Sequence, residues 1–372
     1  MSSSSLGKLF TITSFGESHG RLVGSLIDGC PAGLPLSEAD IQPELDRRRP
    51  GASAADTTRR EADQAEILSG VFNGFTTGAP ICLVIWNRDA DSSQYEKIRP
   101  TPRPGQADYT ASVRYGGFND YRGGGIFSGR LTAALVMAGA VARKLLAIKN
   151  IEIIAHTVAI GGVNALPQDI QAVKAACDRN PLRCADPEAA AKMLARIEQA
   201  REEGDSLGGI IETVALNVPV GLGEPLFDTV DGELAKAVLG IPAIKGVEFG
   251  SGFSAASRYG SENNDDFIIK DGQIATATNN AGGILGGIST GEDITLRVAV
   301  KATPTISIDQ KSVDMETMEE TVLSAITRRD ASLLPRIYPV IEAMSRCVIL
   351  DQLYMWRAWC SMQHYENKWR DE

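Results

Sequence analysis

Histidine is scarce in this chain of 372 residues: only His19, His156 and His364 occur. So few imidazoles argue against a His-rich zinc or iron centre, and no metal site is expected. The six cysteines (Cys30, Cys82, Cys177, Cys184, Cys347 and Cys360) include no C-x-x-C pair. They read as scattered reduced thiols, the pattern of a cytoplasmic protein. Long apolar runs are missing too. The richest, Ala133 to Ala142, stops at Arg143 and Lys144. That is about half of the ~20 residues a bilayer span requires, so it reads as a buried helix. Met1 to Phe10 holds four serines and no signal-peptide core. Positive charge is in deficit, with 37 Lys+Arg facing 47 Asp+Glu for a net −10. This argues against nucleic acid or an anionic membrane as partner.

What is present is globular: 43% apolar residues and 23% charged ones, enough to build one large domain or two fused smaller ones. The positive charge that exists is concentrated. Residues 41–60 carry five arginines against three acids, and residues 97–130 carry six basic residues against two. Both stretches are rich in Gly and Pro, as in RRRPG, RPTPRPGQAD and YRGGGIFSGR. Arginine-bearing loops in an acidic protein point to a small polyanionic ligand held by several guanidinium forks, with solvated surface loops as the alternative.

The pattern of elements is mixed. Strands are expected over Val23–Ile27, Ile151–Gly161 and Ile210–Val218. Helices are expected over 37–48, 131–148, 187–203, 231–239, 315–328 and 339–353. Ser37 followed by Asp40 reads as a capping box. From Tyr354 onward no period is clear, so 354–372 reads as a poorly ordered tail behind a single domain spanning 1–353. A faint duplication runs through the chain. Ile67-Leu68-Ser69-Gly70-Val71 and Thr77-Gly78-Ala79-Pro80-Ile81 match Ile284-Leu285-Gly286-Gly287-Ile288 and Thr290-Gly291-Glu292-Asp293-Ile294. Upstream, Cys30-Pro31-Ala32-Gly33-Leu34 matches Val218-Pro219-Val220-Gly221-Leu222. Irregular alternation with repeated halves gives an α+β architecture.

Neither Gly123-Gly124-Gly125 nor the glycines of 282–287 satisfies a P-loop or G-x-G-x-x-G pattern. They are tight turns or places where backbone N–H groups approach a ligand. The informative stretch is Phe15-Gly16-Glu17-Ser18-His19-Gly20, where a histidine between glycines precedes a strand as a candidate general acid or base.

In order along the chain stand GESHG, DGCPAGLPLSEADIQPELDRRRPG, RPGQADYT, DYRGGGIFSGRLT, GDSLGG, PVGLGEPLFD, KGVEFGSGF, GSENND, NNAGGILGGISTG, and RRDAS followed by PVIEAM. From about Gly7 to about Leu353 the sequence resembles chorismate synthases. The resemblance implies a β-α-β sandwich, with helices packed between antiparallel sheets in pseudo-twofold halves, assembled as a homotetramer. It implies a carbon–oxygen lyase that turns 5-enolpyruvylshikimate 3-phosphate into chorismate and phosphate by 1,4-anti elimination, with reduced FMN and no net redox change. NADPH reduces the flavin in some relatives while others take FMN already reduced. With no separate reductase domain visible, taking reduced FMN is the simpler reading.

By position in the motifs, His19, Asp330 and Gln106 fall at catalytic sites. Arg48, Arg103, Arg130 and Arg328 match substrate-binding arginines, with Arg59 or Arg60 as further candidates. Arg48, Ser128, Glu262, Asn263, Gly286, Lys301, Thr303, Pro304, Thr305 and Arg328 match positions lining FMN. Several residues depart from the family pattern. Gln106 stands for a histidine, Ile126 for Arg or His, Ala54 for Arg, Ala302 for Pro, and Arg329 and Ala331 for the His and Pro around the aspartate. Glutamine hydrogen-bonds but cannot act as an imidazolium, so a weakened activity is expected, raised again by Gln106→His. A non-catalytic or weakly active FMN- or anion-binding paralogue is the alternative.

Overall fold

A computed structural model describes residues 4–49, 63–88, 92–176, 179–324 and 330–359. Ten strands build two five-stranded sheets. The first holds β1 (Ser5–Leu6), β2 (Thr11–Gly16), β3 (Leu22–Asp28), β4 (Glu66–Ser69) and β5 (Ile81–Trp86), in the order β1-β2-β3-β5-β4. The second holds β6 (Glu152–Ile160), β7 (Val163–Asn164), β8 (Gly209–Leu216), β9 (Ile244–Phe249) and β10 (Ile294–Val300), in the order β7-β6-β8-β10-β9. All of their pairings are antiparallel. Between the sheets lie α1 (Glu38–Arg48), α2 (Thr132–Ala147), α3 (Val230–Leu239) and α4 (Leu334–Trp359). The expected α+β sandwich is what forms.

Alternation makes the layers. Val23, Ser25 and Ile27 on β3 and Ile81, Leu83 and Ile85 on β5 turn inward and are buried, as a strand packed on one face requires. They meet α2, while β6 and β8 meet α4, and all share one hydrophobic core. The two central helices approach closely because position 139 is glycine: a Cβ there would lie 2.3 Å from that of Ala343. At the helix starts, the Ser37–Asp40 capping box on α1 is present as read, and Thr229 accepts from the Gly232 N–H at the start of α3. A buried charge network ties α1 to α4. Arg346 donates to Glu44 (2.7 Å) and to Glu342 (2.9 Å), and Arg47 donates to both carboxylates. Burial alone would raise the Glu44 carboxyl, but Arg346, Arg47 and Arg143 hold it below the usual range.

The duplication is structural. The chain visits β2, β3, α1, β4, β5 and α2 in the first half, then β6, β8, α3, β9, β10 and α4 in the second, and the sheet orders match. Hydrogen bonds repeat as well. The Thr76 hydroxyl accepts from Leu34 N (2.9 Å) and donates to Pro31 O (2.6 Å); the Ser289 hydroxyl accepts from Leu222 N (2.9 Å) and donates to Pro219 O (2.6 Å).

Three expectations need correction. Ile67–Gly70 lies on β4 and its edge, whereas Ile284–Gly287 belongs to a hairpin whose twin is Val71–Phe72 with Phe75–Thr76. The matched segment therefore slips by four residues. Residues 315–324 are not helical: Gln310–Asp314 pairs with Glu319–Leu323 as a hairpin. Asp314 Oδ1 accepts from Glu316 and Thr317 N–H groups, a local turn that competes with helix. The tail boundary at 353 also fails, because α4 continues to Trp359 with Met355 buried and Tyr354 edge-on to Phe10. Among the described residues, no helix is long and apolar enough to cross a membrane.

Candidate active site

Loops from both halves enclose a cavity of about 630 Å³. Arg48 reaches it from the last turn of α1 and is 3% exposed. Its Nε donates to Thr132 Oγ1 (2.9 Å), Nη1 to Asp63 Oδ2 (2.8 Å) and Nη2 to Gly129 O (3.1 Å). The other oxygen of Asp63 accepts from Arg130 Nη1, so one fully buried carboxylate pins two guanidiniums. Arg130 Nε donates to Asn87 Oδ1 (3.0 Å), while its buried Nη2 has no partner among the described residues. Arg103 makes a bidentate fork onto Asp108, with both bonds at 2.7 Å, and lies 5.4 Å over the Tyr95 ring. Burial by itself would lower its pKa; the bonds to Asp108 outweigh that and raise it.

The triple glycine brings the backbone close to His19. Gly123, Gly124 and Gly125 all have positive φ, open to glycine at no steric cost. A Cβ on Gly123 would lie 2.3 Å from His19 Cδ2 and 2.6 Å from Nε2. His19 Nδ1 is 2.9 Å from Ser92 Oγ, and its ring meets Tyr95 edge-on at 5.1 Å. His19 thus stands behind Gly123, which lines the cavity, and is not itself a lining residue. Ser128, which does line it, donates to Ser18 Oγ at 3.0 Å.

The second half supplies the facing wall. Lys301 Nζ donates to Gly105 O (2.6 Å) and Gln106 Nε2 to Thr305 Oγ1 (3.2 Å). Desolvation, and then the nearby Lys245, lower the Lys301 pKa. Thr303 and Pro304 line the wall, and Thr303 Oγ1 is buried without a partner among the described residues. Asp330 accepts from Arg336 Nη1 at 2.7 Å, and the Arg336 Nε is also buried, without a partner among the described residues.

The cavity therefore gathers Arg48, Arg103, Gln106, Ser128, Arg130, Lys301, Thr303, Pro304, Thr305 and Asp330 from the expected set. It does not gather Glu262, Asn263 or Gly286. Glu262 caps the Tyr259 N–H, Asn263 accepts from Ser251 Oγ, and Gly286 sits in an open hairpin turn. Arg328, with Arg59, Arg60, Arg329 and Ala54, lies outside the described residues. Sequence reasoning missed Asp63 and Arg336. Asp63 gave a faint signal as an acid beside an arginine-rich loop. Arg336 gave none, because the helix expected here begins at residue 339 and leaves Arg336 in the loop before it.

A duplicated α+β chain whose halves close over a cavity lined by guanidiniums and interrupted by unfilled donors is built to hold small polyanions, as an enzyme for phosphorylated acids must. The family model for chorismate synthase matches residues 10–354. A chorismate synthase of Dehalococcoides mccartyi (strain ATCC BAA-2100 / JCM 16839 / KCTC 5957 / BAV1) is 56% identical over 351 residues, covering 94% of this chain and 96% of that one. One of Methanosarcina barkeri (strain Fusaro / DSM 804) is 52% identical over 353 residues, covering 95% and 96%. A solved structure, "Crystal Structure of Chorismate Synthase", superposes with a TM-score of 0.75 at 33% identity, covering 98% of this chain and 97% of that chain. This chain belongs to the chorismate synthase family.

Proposed function

We propose that this chain converts 5-enolpyruvylshikimate 3-phosphate into chorismate and inorganic phosphate by 1,4-anti elimination, with reduced FMN as cofactor. The observation that carries the reading is the cavity wall itself. Arg130 Nη2, Thr303 Oγ1 and Arg336 Nε are buried polar atoms without partners among the described residues, all on residues lining one cavity. Buried donors are rarely left unmade, so such a cluster fits a ligand rich in anionic oxygens. The approach at Gly124 suits a phosphate or flavin edge, since a Cβ there would lie 3.8 Å from Ser128 Cβ and 4.0 Å from Arg103 Nη2, both on residues lining the cavity.

When bound, reduced FMN supplies the transient electron chemistry that no side chain here offers. The chain's own residues bind, orient and move protons. Arg103 and Arg130, pre-set by Asp108 and Asp63, hold the substrate's carboxylates and phosphate. His19, with Nδ1 engaged by Ser92, keeps Nε2 beside Gly123 to give a proton to the departing phosphate. Asp330, held by Arg336, assists removal of the ring proton. Gln106 offers a hydrogen bond in place of a titrating group. The comparisons lend no support to the degenerate paralogue.

The reading includes a cytoplasmic location, to which the free thiols Cys30, Cys82, Cys184 and Cys347 are suited. It also includes a homotetramer. Phe267, Ile269 and Ile274, on the hairpin Phe267–Lys270 with Gln273–Thr276, are 69–73% exposed, a patch of the kind that subunit contacts cover. In that assembly Glu262, Asn263 and Gly286 would reach FMN only through a neighbouring copy. The test is anaerobic phosphate release with dithionite-reduced FMN. Product formation supports the reading; tight FMN binding without phosphate release overturns it. Adding NADPH with oxidised FMN in place of dithionite decides the source of electrons.

A further inference from the structure

We infer that Arg336 is a ligand-contacting residue of this site, using one edge of its guanidinium to position Asp330 and the other to bind an anionic oxygen of the bound ligands. The inference rests on the proposed function for the identity of those ligands, but not for the geometry. Arg336 lines the cavity beside Asp330, Leu333 and Ile337. Its Nη1 donates to Asp330 Oδ2 at 2.7 Å, and its side chain is 19% exposed. Nε is buried and meets no acceptor among the described residues. A guanidinium presents its N–H groups in a fixed fork, so holding Asp330 through Nη1 fixes where the Nε–H edge can turn.

Helix stability does not explain the residue. Arg336 occupies the first turn of α4, a turn without acidic residues, where a cation opposes the helix dipole and lowers stability. Asp330 offsets only part of that, because its carboxylate spans one edge of the fork. A cation kept in an unfavourable place, with one buried donor unfilled, fits a site completed by a negative ligand. The shared chemistry is a carboxylate or phosphate oxygen, and it belongs either to the substrate or to FMN.

The experiment uses the full chain with Arg336→Met and Arg336→Lys. Thermal melting, FMN affinity by flavin fluorescence, and anaerobic kcat and KM are measured for each. The expected result is a lowered melt for Arg336→Met, since the buried Asp330 loses its partner, together with a loss of binding on the order of 10- to 100-fold. That loss falls in KM if the oxygen is the substrate's, or in the FMN Kd if it is the cofactor's. A drop in kcat accompanies it, partly restored by free guanidinium. Arg336→Lys keeps charge without the fork and lies between wild type and Arg336→Met. If Arg336→Met fails to fold, Arg336→Lys alone decides, by the same affinities and by guanidinium rescue. KM and Kd both within about twofold of wild type overturn the inference, whether or not kcat falls. If the wild type itself releases no phosphate, the functional reading has failed. The FMN affinity and direct titration with the substrate then still judge Arg336.

Discussion

The two halves of the molecule share a scaffold but not a chemistry. Equivalent connections line the cavity: residues 87–131 run from β5 to α2, and residues 301–333 from β10 to α4. Their charges are arranged differently. In the first half the lining cations come already paired, Arg48 and Arg130 on Asp63 and Arg103 on Asp108. In the second, among the described residues, Lys245, Lys301 and Arg336 outnumber the single lining acid, Asp330. Pairing costs freedom of movement and gains fixed geometry; unpaired charge gains attraction. On the proposed function, the first half orients an anion and the second draws it in.

The largest expected effect tests the pinning. Asp63→Ala leaves two buried guanidiniums uncompensated, and breaking a buried pair costs about 3–5 kcal/mol. The counterpart in the second half, Lys301→Ala, loses one bond from a partly exposed side chain and should cost under ~1 kcal/mol. Urea melts of both variants check this. Equal losses would break the comparison.

Next in size is Arg130→Ala. Removing one preorganised donor from a site that stabilises developing negative charge lowers turnover roughly 10²- to 10³-fold. The effect should fall mainly on kcat in the anaerobic phosphate-release assay, because orientation and not attraction is lost. A change confined to KM would assign Arg130 to the attracting role instead.

Smaller still is a matched pair that probes the shared scaffold. Thr76→Ala and Ser289→Ala each strand one N–H and one carbonyl that the hydroxyl now joins. Each should cost about 1–3 kcal/mol. The two losses should agree closely, and KM should not move in either variant. Chemical denaturation measures the first and steady-state kinetics the second. Strongly unequal losses would show that the copies carry different loads.

The halves were legible in sequence where short-range chemistry marks them. Pro-x-Gly-Leu turns and Thr-Gly starts survive in both copies, because a turn needs particular residues. The register of Ile67–Gly70 against Ile284–Gly287 was misread, since it is set by a hairpin closing onto residues about forty or more positions earlier. Arg103 and Arg130 stood out in their loops. Their carboxylate partners divide by distance: Asp108 is five residues from Arg103, but Asp63 is 67 from Arg130. No local pattern carries the second pairing. Nor could spacing show that Glu262, Asn263 and Gly286 lie off the chain's own cavity, a matter of how the second sheet's loops fold back.

The smallest effect concerns pH and separates attraction from orientation most cleanly. Desolvation and the neighbouring Lys245 push the Lys301 pKa below its usual 10.5. Its charged form is thus disfavoured in the empty site and favoured again by a bound anion. As pH rises through that lowered pKa the proton leaves, and affinity for an anionic ligand falls at a lower pH than an ordinary lysine would allow. Lys301→Arg, charged throughout this range, should remove the alkaline weakening. Lys245→Met takes away the repulsion and should shift the weakening to higher pH. The expected change in KM is under about tenfold, since a single partly exposed charge is involved. A KM profile flat to pH 10 in the wild type would remove Lys301 from the attracting set, leaving Lys245 and Arg336 to supply that half's positive charge.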